Sequence, residues 1–195
     1  MIVADVDESI LPDEDPASYV LRLAESKARA VLGSAHAEQI ILGADTAVID
    51  SGDVLGKPLD SSDAAKMLRR LCGHAHQVYT GIAALRVADR KLVTDLSITD
   101  VPMRSFSDEE IDAYVGTGDP LDKAGAYAIQ HPGFQPVEKL SGCFASVMGL
   151  PLCHIVRSLR KLDVNTASDV PTSCQAYLSY QCNVSSAVLR GENVG

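Results

Sequence analysis

The feature that most constrains the fold is an apolar run from Ile40 to Ile49, too rich in β-forming residues for a helix. The run predicts a buried strand, since strands covered on both faces read as near-continuous apolar stretches. The next residues, Asp50–Asp53 (Asp-Ser-Gly-Asp), are typical of a turn, so the strand is expected to continue into a hairpin. A sheet that is apolar on both faces must be covered by helices, and the sequence therefore predicts an α/β domain.

Helical and strand-like patterns alternate around this run. The first helix is predicted to begin after Asp15, an N-cap followed by Pro16, and to end at Gly33. Ser107–Glu110 reads as a capping box at the start of a later helix. The predicted elements are a helix over 16–32, the hairpin around 40–53, a helix over 61–71, strands at 76–87 and 92–104, a helix over 111–115, a further strand and a helix over 151–162.

The composition changes after Leu162. Residues 163–195 hold many Ser, Asn, Thr and Val and show no clean periodicity. This pattern predicts a poorly ordered tail behind a single domain over residues 1–162.

Composition excludes several classes of function. A net charge of −9, with 5% aromatic residues and no Trp, disfavours nucleic-acid binding, which needs a basic face or stacking platforms. No apolar run approaches the roughly 18 residues that span a bilayer, and the acidic N-terminus does not resemble a signal peptide. The five Cys are odd in number and scattered, so we expect reduced thiols in a cytoplasmic protein with no membrane partner.

Asp45 is the first candidate functional residue. It interrupts the apolar strand beside Gly43 and Ala44. A carboxylate in such a place is costly unless it is paired, hydrogen-bonded or bound to a metal. An Asp that caps a turn at the strand end is the simpler alternative. The small neighbours favour function, because they let a ligand or another backbone come close.

Two further segments carry chemistry of weaker specificity. Lys57 lies between Gly56 and Pro58, on a corner where it could meet a phosphate, although a solvated turn lysine is the commoner case. Segment 122–130 begins with opposite charges, continues through small residues and ends in Gln130, whose amide suits the edge of a base. The alternative is a tight junction with a structural ion pair.

Other polar residues and motifs constrain the function less. Glu8, in an acidic N-terminal cluster, could bind a divalent cation, although such clusters are usually just solvated. Lys27, taken alone, is interpreted as a surface lysine. His74 and His76 are interpreted as structural residues, because no third metal ligand lies near them in the sequence. No P-loop, G-x-G-x-x-G or G-x-S-x-G motif occurs, so neither a P-loop NTPase nor an α/β-hydrolase is supported.

Taken together, seven short motifs resemble the Maf family of nucleoside triphosphate pyrophosphatases in order and spacing, from about Ile2 to Leu162. They are Leu23-Ala24-x-x-Lys27-Ala28, Leu42-Gly43-Ala44-Asp45-Thr46, Leu55-Gly56-Lys57-Pro58, Ala65-x-Met67-Leu68, Val78-x-Thr80, Asp122-Lys123-Ala124-Gly125-Ala126-Tyr127-x-Ile129-Gln130 and Val147-x-Gly149-Leu150-Pro151. The resemblance implies an elongated α/β domain around a mixed, bent sheet, similar to inosine triphosphate pyrophosphatases. It also implies hydrolysis of nucleoside triphosphates to the monophosphate and pyrophosphate with a divalent metal, Mg²⁺ or Mn²⁺.

The resemblance also assigns roles to individual residues. Asp45 matches the proton acceptor and, with Glu8, a metal ligand, while Thr46 and Gln130 match positions tied to base choice. The Gly-Ala-Asp-Thr and Ile-Gln forms resemble the branch that acts on dTTP and UTP, and a 7-methyl-GTP pyrophosphatase is the alternative. The expected partner is a nucleoside triphosphate, and a homodimer is an alternative to a monomer. The remaining charged pocket residues implied are Lys27, Lys57 and Lys123.

The sequence departs from the family pattern near its start. Family members begin with a strand and a Ser-x-x-Arg loop upstream of the equivalent of Asp7-Glu8, whereas this sequence starts at Met1. We expect the strand at Ile40–Ile49 to lack a neighbour and the phosphates to lack an arginine partner. A non-catalytic nucleotide-binding protein is therefore a further alternative.

Overall fold

A computed structural model describes residues 2–195 of the chain. Four strands and seven α-helices occur along these residues. The strands are β1 (Ile40–Asp50), β2 (Asp53–Leu55), β3 (Ala75–Arg86) and β4 (Leu92–Pro102). The helices are α1 (Pro16–Ala30), α2 (Ser61–Leu71), α3 (Asp108–Gly116), α4 (Phe144–Val147), α5 (Leu152–Arg160), α6 (Val170–Leu178) and α7 (Ser185–Leu189).

The strands form one sheet in the order β2-β1-β3-β4. The α/β class is confirmed, but every pairing among residues 2–195 is antiparallel, so the sheet is not mixed. The further strand expected before the last long helix is reduced, in the described chain, to one isolated bridge between Met103 and Val137. Pro132 and Pro136 interrupt this segment, and proline cannot donate to a strand ladder.

Helix α1 lies directly against the backbone of the sheet. Asp15 caps it by accepting from the N–H groups of Ala17 and Ser18, as predicted. A Cβ atom at Gly43 would lie 2.1 Å from the carbonyl oxygen of Ala24, and one at Gly81 would lie 2.6 Å from the backbone of Val20. The small residue beside Asp45 therefore admits a helix rather than a ligand, and this close packing brings α1 to the strand that carries Asp45.

The main core lies on the other face of the sheet. Helices α2 and α3 cover it together with the segment between α3 and α4, and the predicted capping box at Ser107 and Glu110 is present at the start of α3. The fully or almost fully buried side chains here are Leu68, Leu71, Val78, Val101, Ile111, Tyr114 and Phe134.

Strand β1 has an open edge. It pairs with β2 only from Val48 to Asp50. From Ile40 to Ala47 it pairs with β3 alone, as far as residues 2–195 show. Leu42 in this stretch is 47% exposed. Within residues 2–195, β1 therefore has no second neighbour over most of its length.

The segment predicted as a tail, residues 163–195, contains helices α6 and α7. Arg157 of α5 forms a buried ion pair with Asp95, at 2.5 Å, and also donates to the carbonyl oxygen of Glu192, at 2.6 Å. Tyr180 donates to the carbonyl oxygen of Gly142, at 2.8 Å. These contacts with the domain hold the segment, and local periodicity gives no sign of them.

All five cysteines are unbridged. No helix within residues 2–195 has both the length and the apolar character needed to cross a bilayer.

Candidate active site

All seven predicted site residues line one cavity of about 310 Å³. This size falls at the lower end of the range for small-ligand sites. The cavity lies at the open edge of β1, with walls from α1, from the loop after β2, and from the segments on either side of α4. The predicted residues it brings together are Glu8, Lys27, Asp45, Thr46, Lys57, Lys123 and Gln130.

The cavity reaches both faces of the sheet. Asp45 and Thr46 are successive residues of β1, so their side chains point to opposite faces. Asp45 faces α1, and Thr46 faces its cross-strand partner Thr80. Because this part of the β1 edge has no pairing strand among residues 2–195, one ligand can contact both side chains. The charged groups near Asp45 and the polar groups near Thr46 then form two halves of the site.

Lys27 holds two carboxylates together on the α1 side. Its Nζ lies 2.5 Å from Oδ1 of Asp45 and 2.7 Å from Oε1 of Glu8. Glu8 is kept in place by Tyr19, whose hydroxyl donates to the Glu8 carbonyl oxygen at 3.0 Å. The Lys27 hydrogen bond lowers the pKa of Glu8. Burial alone would lower the pKa of Lys27, but the two carboxylates outweigh it and raise that pKa.

Asp45 is the most buried carboxylate of this cluster. Its side chain is 9% exposed, against 43% for Glu8. Burial raises the pKa of Asp45 above its ordinary value, and the hydrogen bond from Lys27 offsets only part of that effect. A carboxyl group with a raised pKa is a stronger base once ionised, as proton transfer at neutral pH requires.

The other two lysines differ in their pairing. Lys123 Nζ lies 2.6 Å from Asp122 and 3.2 Å from Asp119, and these two carboxylates help to raise its pKa against the effect of burial. Lys57 is exposed and has no ion-pair partner within residues 2–195. Its positive charge nevertheless lowers the pKa of Asp45 slightly. Lys57 is thus the lysine of the cavity most available to an incoming anion.

A chain of hydroxyl groups lies on the other side of β1. Oγ1 of Thr46 is 2.9 Å from Oγ1 of Thr80, and Thr80 donates to the carbonyl oxygen of Ser146, also at 2.9 Å. A Cβ atom at Gly149 would lie 3.2 Å from Oγ1 of Thr46, in a residue whose φ is +99°. Gly149 therefore leaves the Thr46 hydroxyl accessible at the cavity wall.

Gln130 and Tyr127 come from the same segment but play different parts. Gln130 is exposed at the cavity, and its amide makes no hydrogen bond within the described chain. Tyr127 is buried and its hydroxyl lies 2.8 Å from Nε2 of His76. Burial lowers the pKa of His76 to about 4, so this histidine is neutral at pH 7. Its neighbour His74 instead contacts Asp50, so the two histidines do not form a metal pair.

Sequence reasoning missed several cavity residues. Tyr19 precedes Lys27 by about two helical turns, a spacing that places both near one side of α1. Met148 follows the short helix α4 and carries no sequence signal beyond its place in a motif. Gly125 has φ +67°, and a Cβ atom there would lie 2.8 Å from Val48. That glycine is not part of the cavity lining, and it serves close packing against β1.

Comparisons with known proteins identify the family of this chain. The family described as Maf-like protein matches residues 1–162. A dTTP/UTP pyrophosphatase of Anaeromyxobacter dehalogenans (strain 2CP-C) is 49% identical over 160 residues, covering 81% of this chain and 80% of that protein. One of Hahella chejuensis is 45% identical over 168 residues, covering 85% and 83%, and one of Clostridium botulinum (strain Loch Maree / Type A3) is 44% identical over 169 residues, covering 85% and 87%. The chain belongs to the Maf family.

Proposed function

We propose that this protein hydrolyses dTTP and UTP to the nucleoside monophosphate and pyrophosphate. The observation that carries the proposal is the cavity at the open edge of β1. It combines a buried carboxylate, Asp45, and three lysines with the polar groups Thr46 and Gln130. The relatives named dTTP/UTP pyrophosphatase support the same substrates.

A divalent cation fits the charges of this cavity. Its lining carries three carboxylates (Glu8, Asp45 and Asp122) and three lysines, so their formal charges cancel. A triphosphate brings several negative charges, and additional positive charge is needed to balance them. The described residues contain no cluster of three or more His, Cys, Asp or Glu suited to a metal. Mg²⁺ is commonly held by one or two carboxylates together with substrate phosphates, and that arrangement needs no larger cluster.

Glu8 and Asp45 are the residues that would hold such a cation. Both carboxylates already converge on a single positive charge, the Lys27 ammonium. When bound, the cation would supply positive charge and Lewis acidity to the phosphate oxygens.

The protein groups define a hydrolytic step. A water molecule attacks the α-phosphorus, the bond to the bridging oxygen breaks, and pyrophosphate leaves. Asp45 accepts the proton from the attacking water, which its raised pKa favours. Lys57 is the first lysine to bind the phosphates, because it has no competing carboxylate among residues 2–195. Lys27 and Lys123 stabilise the negative charge that develops on the leaving pyrophosphate.

The test is pyrophosphate release from dTTP, UTP, dCTP, GTP and 7-methyl-GTP, with and without Mg²⁺ or Mn²⁺. We expect dTTP and UTP to be cleaved fastest, with pyrophosphate rather than orthophosphate as the product. Asp45→Asn serves as the control for contaminating enzymes. Preferential cleavage of 7-methyl-GTP would overturn the base assignment. No release from any nucleotide by folded protein would overturn the catalytic proposal, and measured nucleotide binding by that protein would then support the non-catalytic alternative.

A further inference from the structure

The buried threonine behind Thr46 determines which hydrogen-bonding group the site presents. Thr80 lies on β3, directly opposite Thr46 on β1, and is 0% exposed. Its Oγ1 is 2.9 Å both from Oγ1 of Thr46 and from the carbonyl oxygen of Ser146. That carbonyl also accepts from the N–H of Gly149 at 2.8 Å, so the turn after α4 holds it in place.

The direction of these bonds follows from the number of protons. A hydroxyl has one hydrogen, and a carbonyl oxygen can only accept. Two oxygens 2.9 Å apart with no hydrogen between them would repel, so the Thr80 proton must lie toward Ser146. The contact between the two threonines then requires the Thr46 proton to lie toward Thr80. Thr46 consequently offers only lone pairs to the cavity.

An acceptor at this position discriminates between pyrimidines. Uracil and thymine carry an N–H group at ring position 3, which can donate to a lone pair. Cytosine carries a lone pair at the same ring nitrogen, so it would place an acceptor against an acceptor. A polar group left without a partner in a bound complex lowers affinity strongly.

We infer that Thr80 is a positioning residue, which fixes Thr46 as a hydrogen-bond acceptor and thereby favours uracil and thymine nucleotides over cytosine nucleotides. This inference rests on the proposed function, because it takes the base to lie at Thr46. Thr80 itself does not contact the substrate, and its effect on Thr46 gives a reason why cytosine is disfavoured.

The experiment compares kcat/KM and the equilibrium Kd for dTTP and dCTP in four proteins: wild type, Thr80→Val, Thr80→Ser and Thr99→Val. Valine has the shape of threonine but cannot accept the Thr46 proton, so the Thr46 hydroxyl becomes free to rotate and to donate to cytosine. We expect Thr80→Val to reduce the preference for dTTP by about tenfold to a hundredfold, the scale of one buried hydrogen bond. The Kd or KM for dCTP should improve in that variant relative to dTTP.

Two variants separate positioning from a general structural effect. Thr80→Ser keeps the hydroxyl and should retain the preference. Thr99→Val removes another buried hydroxyl of the sheet, 1% exposed on β4, and should also leave the preference unchanged. If Thr80→Val does not fold, Thr46→Val removes the acceptor itself and should abolish the preference in the same assay.

Each outcome decides one of the two proposals. An unchanged ratio of dTTP to dCTP in folded Thr80→Val, or loss of the ratio in Thr80→Ser, would overturn the inference. If the wild-type protein binds dTTP more tightly than dCTP but releases no pyrophosphate, only the proposed function is overturned. The ratio of the two Kd values then still tests the role of Thr80. A wild-type protein with no preference between the two nucleotides in either measurement would overturn the inference directly.

Discussion

Replacing Lys27 with methionine tests how the charged half of the site is held together. The variant keeps the length of the side chain but removes the ammonium that lies 2.5 Å from Asp45 and 2.7 Å from Glu8. Two carboxylates then remain without their shared cation. Removing one partner of a fully buried pair costs about 3–5 kcal/mol. Glu8 is 43% exposed and Lys27 22%, so solvent screens part of this effect and we expect about 2–3 kcal/mol.

The assay is thermal unfolding at several pH values. For a chain of 195 residues, each kcal/mol shifts the midpoint by about 2–4 °C, so Lys27→Met should lower it by about 4–12 °C at pH 7. Without Lys27 the folded-state pKa of Asp45 rises further, because burial then acts unopposed by its hydrogen bond. Burial penalises the charged form of Asp45. The loss of stability caused by Lys27→Met should therefore become smaller as the pH falls and Asp45 becomes protonated.

Two controls accompany this measurement. Lys57→Met removes a lysine that is exposed and unpaired within the described residues, and should change the stability by about 0.5 kcal/mol or less. The double variant Lys27→Met with Asp45→Asn removes the uncompensated charge and should recover a large part of the loss. If Lys27→Met is no less stable than Lys57→Met at pH 7, the reasoning about the Lys27 cluster is refuted.

Three further predictions concern the base, the nucleotide preference and the tail. Asp45→Asn should lower kcat by about a hundredfold or more; near-normal turnover would contradict its role as the base. Gln130→Glu replaces a donor and acceptor with an acceptor only, and should reduce kcat/KM for dTTP and UTP more than for GTP; an equal loss on all three would mean a structural role. Arg157→Leu leaves Asp95 buried without its cationic partner and should cost about 3–5 kcal/mol in denaturant unfolding, whereas a change below 1 kcal/mol would show that segment 163–195 is not anchored there.

The cavity that forms the candidate site could be located from the sequence because one residue conflicts with its surroundings. A carboxylate inside an apolar strand is unfavourable without a partner, and Asp45 indeed has one in Lys27. Its partner could not be deduced from the pattern, since Lys27 on a helix reads as a solvated residue. The contact depends on the approach of α1 to Gly43 and Gly81, a tertiary feature.

The features that the sequence does not reveal have a common physical origin in contacts between distant residues. Helix α6 has no buried residue, so burial of an apolar face contributes little to its position. Its segment is held instead through Arg157 and Tyr180, which bind backbone carbonyls of other segments. The direction of the Thr80 hydrogen bond is equally invisible in the sequence, because it depends on the carbonyl of Ser146, 66 residues away.

The walls of the cavity come from segments between Glu8 and Gly149, so no short piece of the chain contains the site. A nucleotide that binds there therefore acts on the global folding equilibrium by mass action. At a concentration one hundred times its Kd, it adds about 2.7 kcal/mol to the free energy of unfolding. A panel of nucleotides can thus be ranked by the rise in melting temperature alone, including product nucleotides that are never turned over.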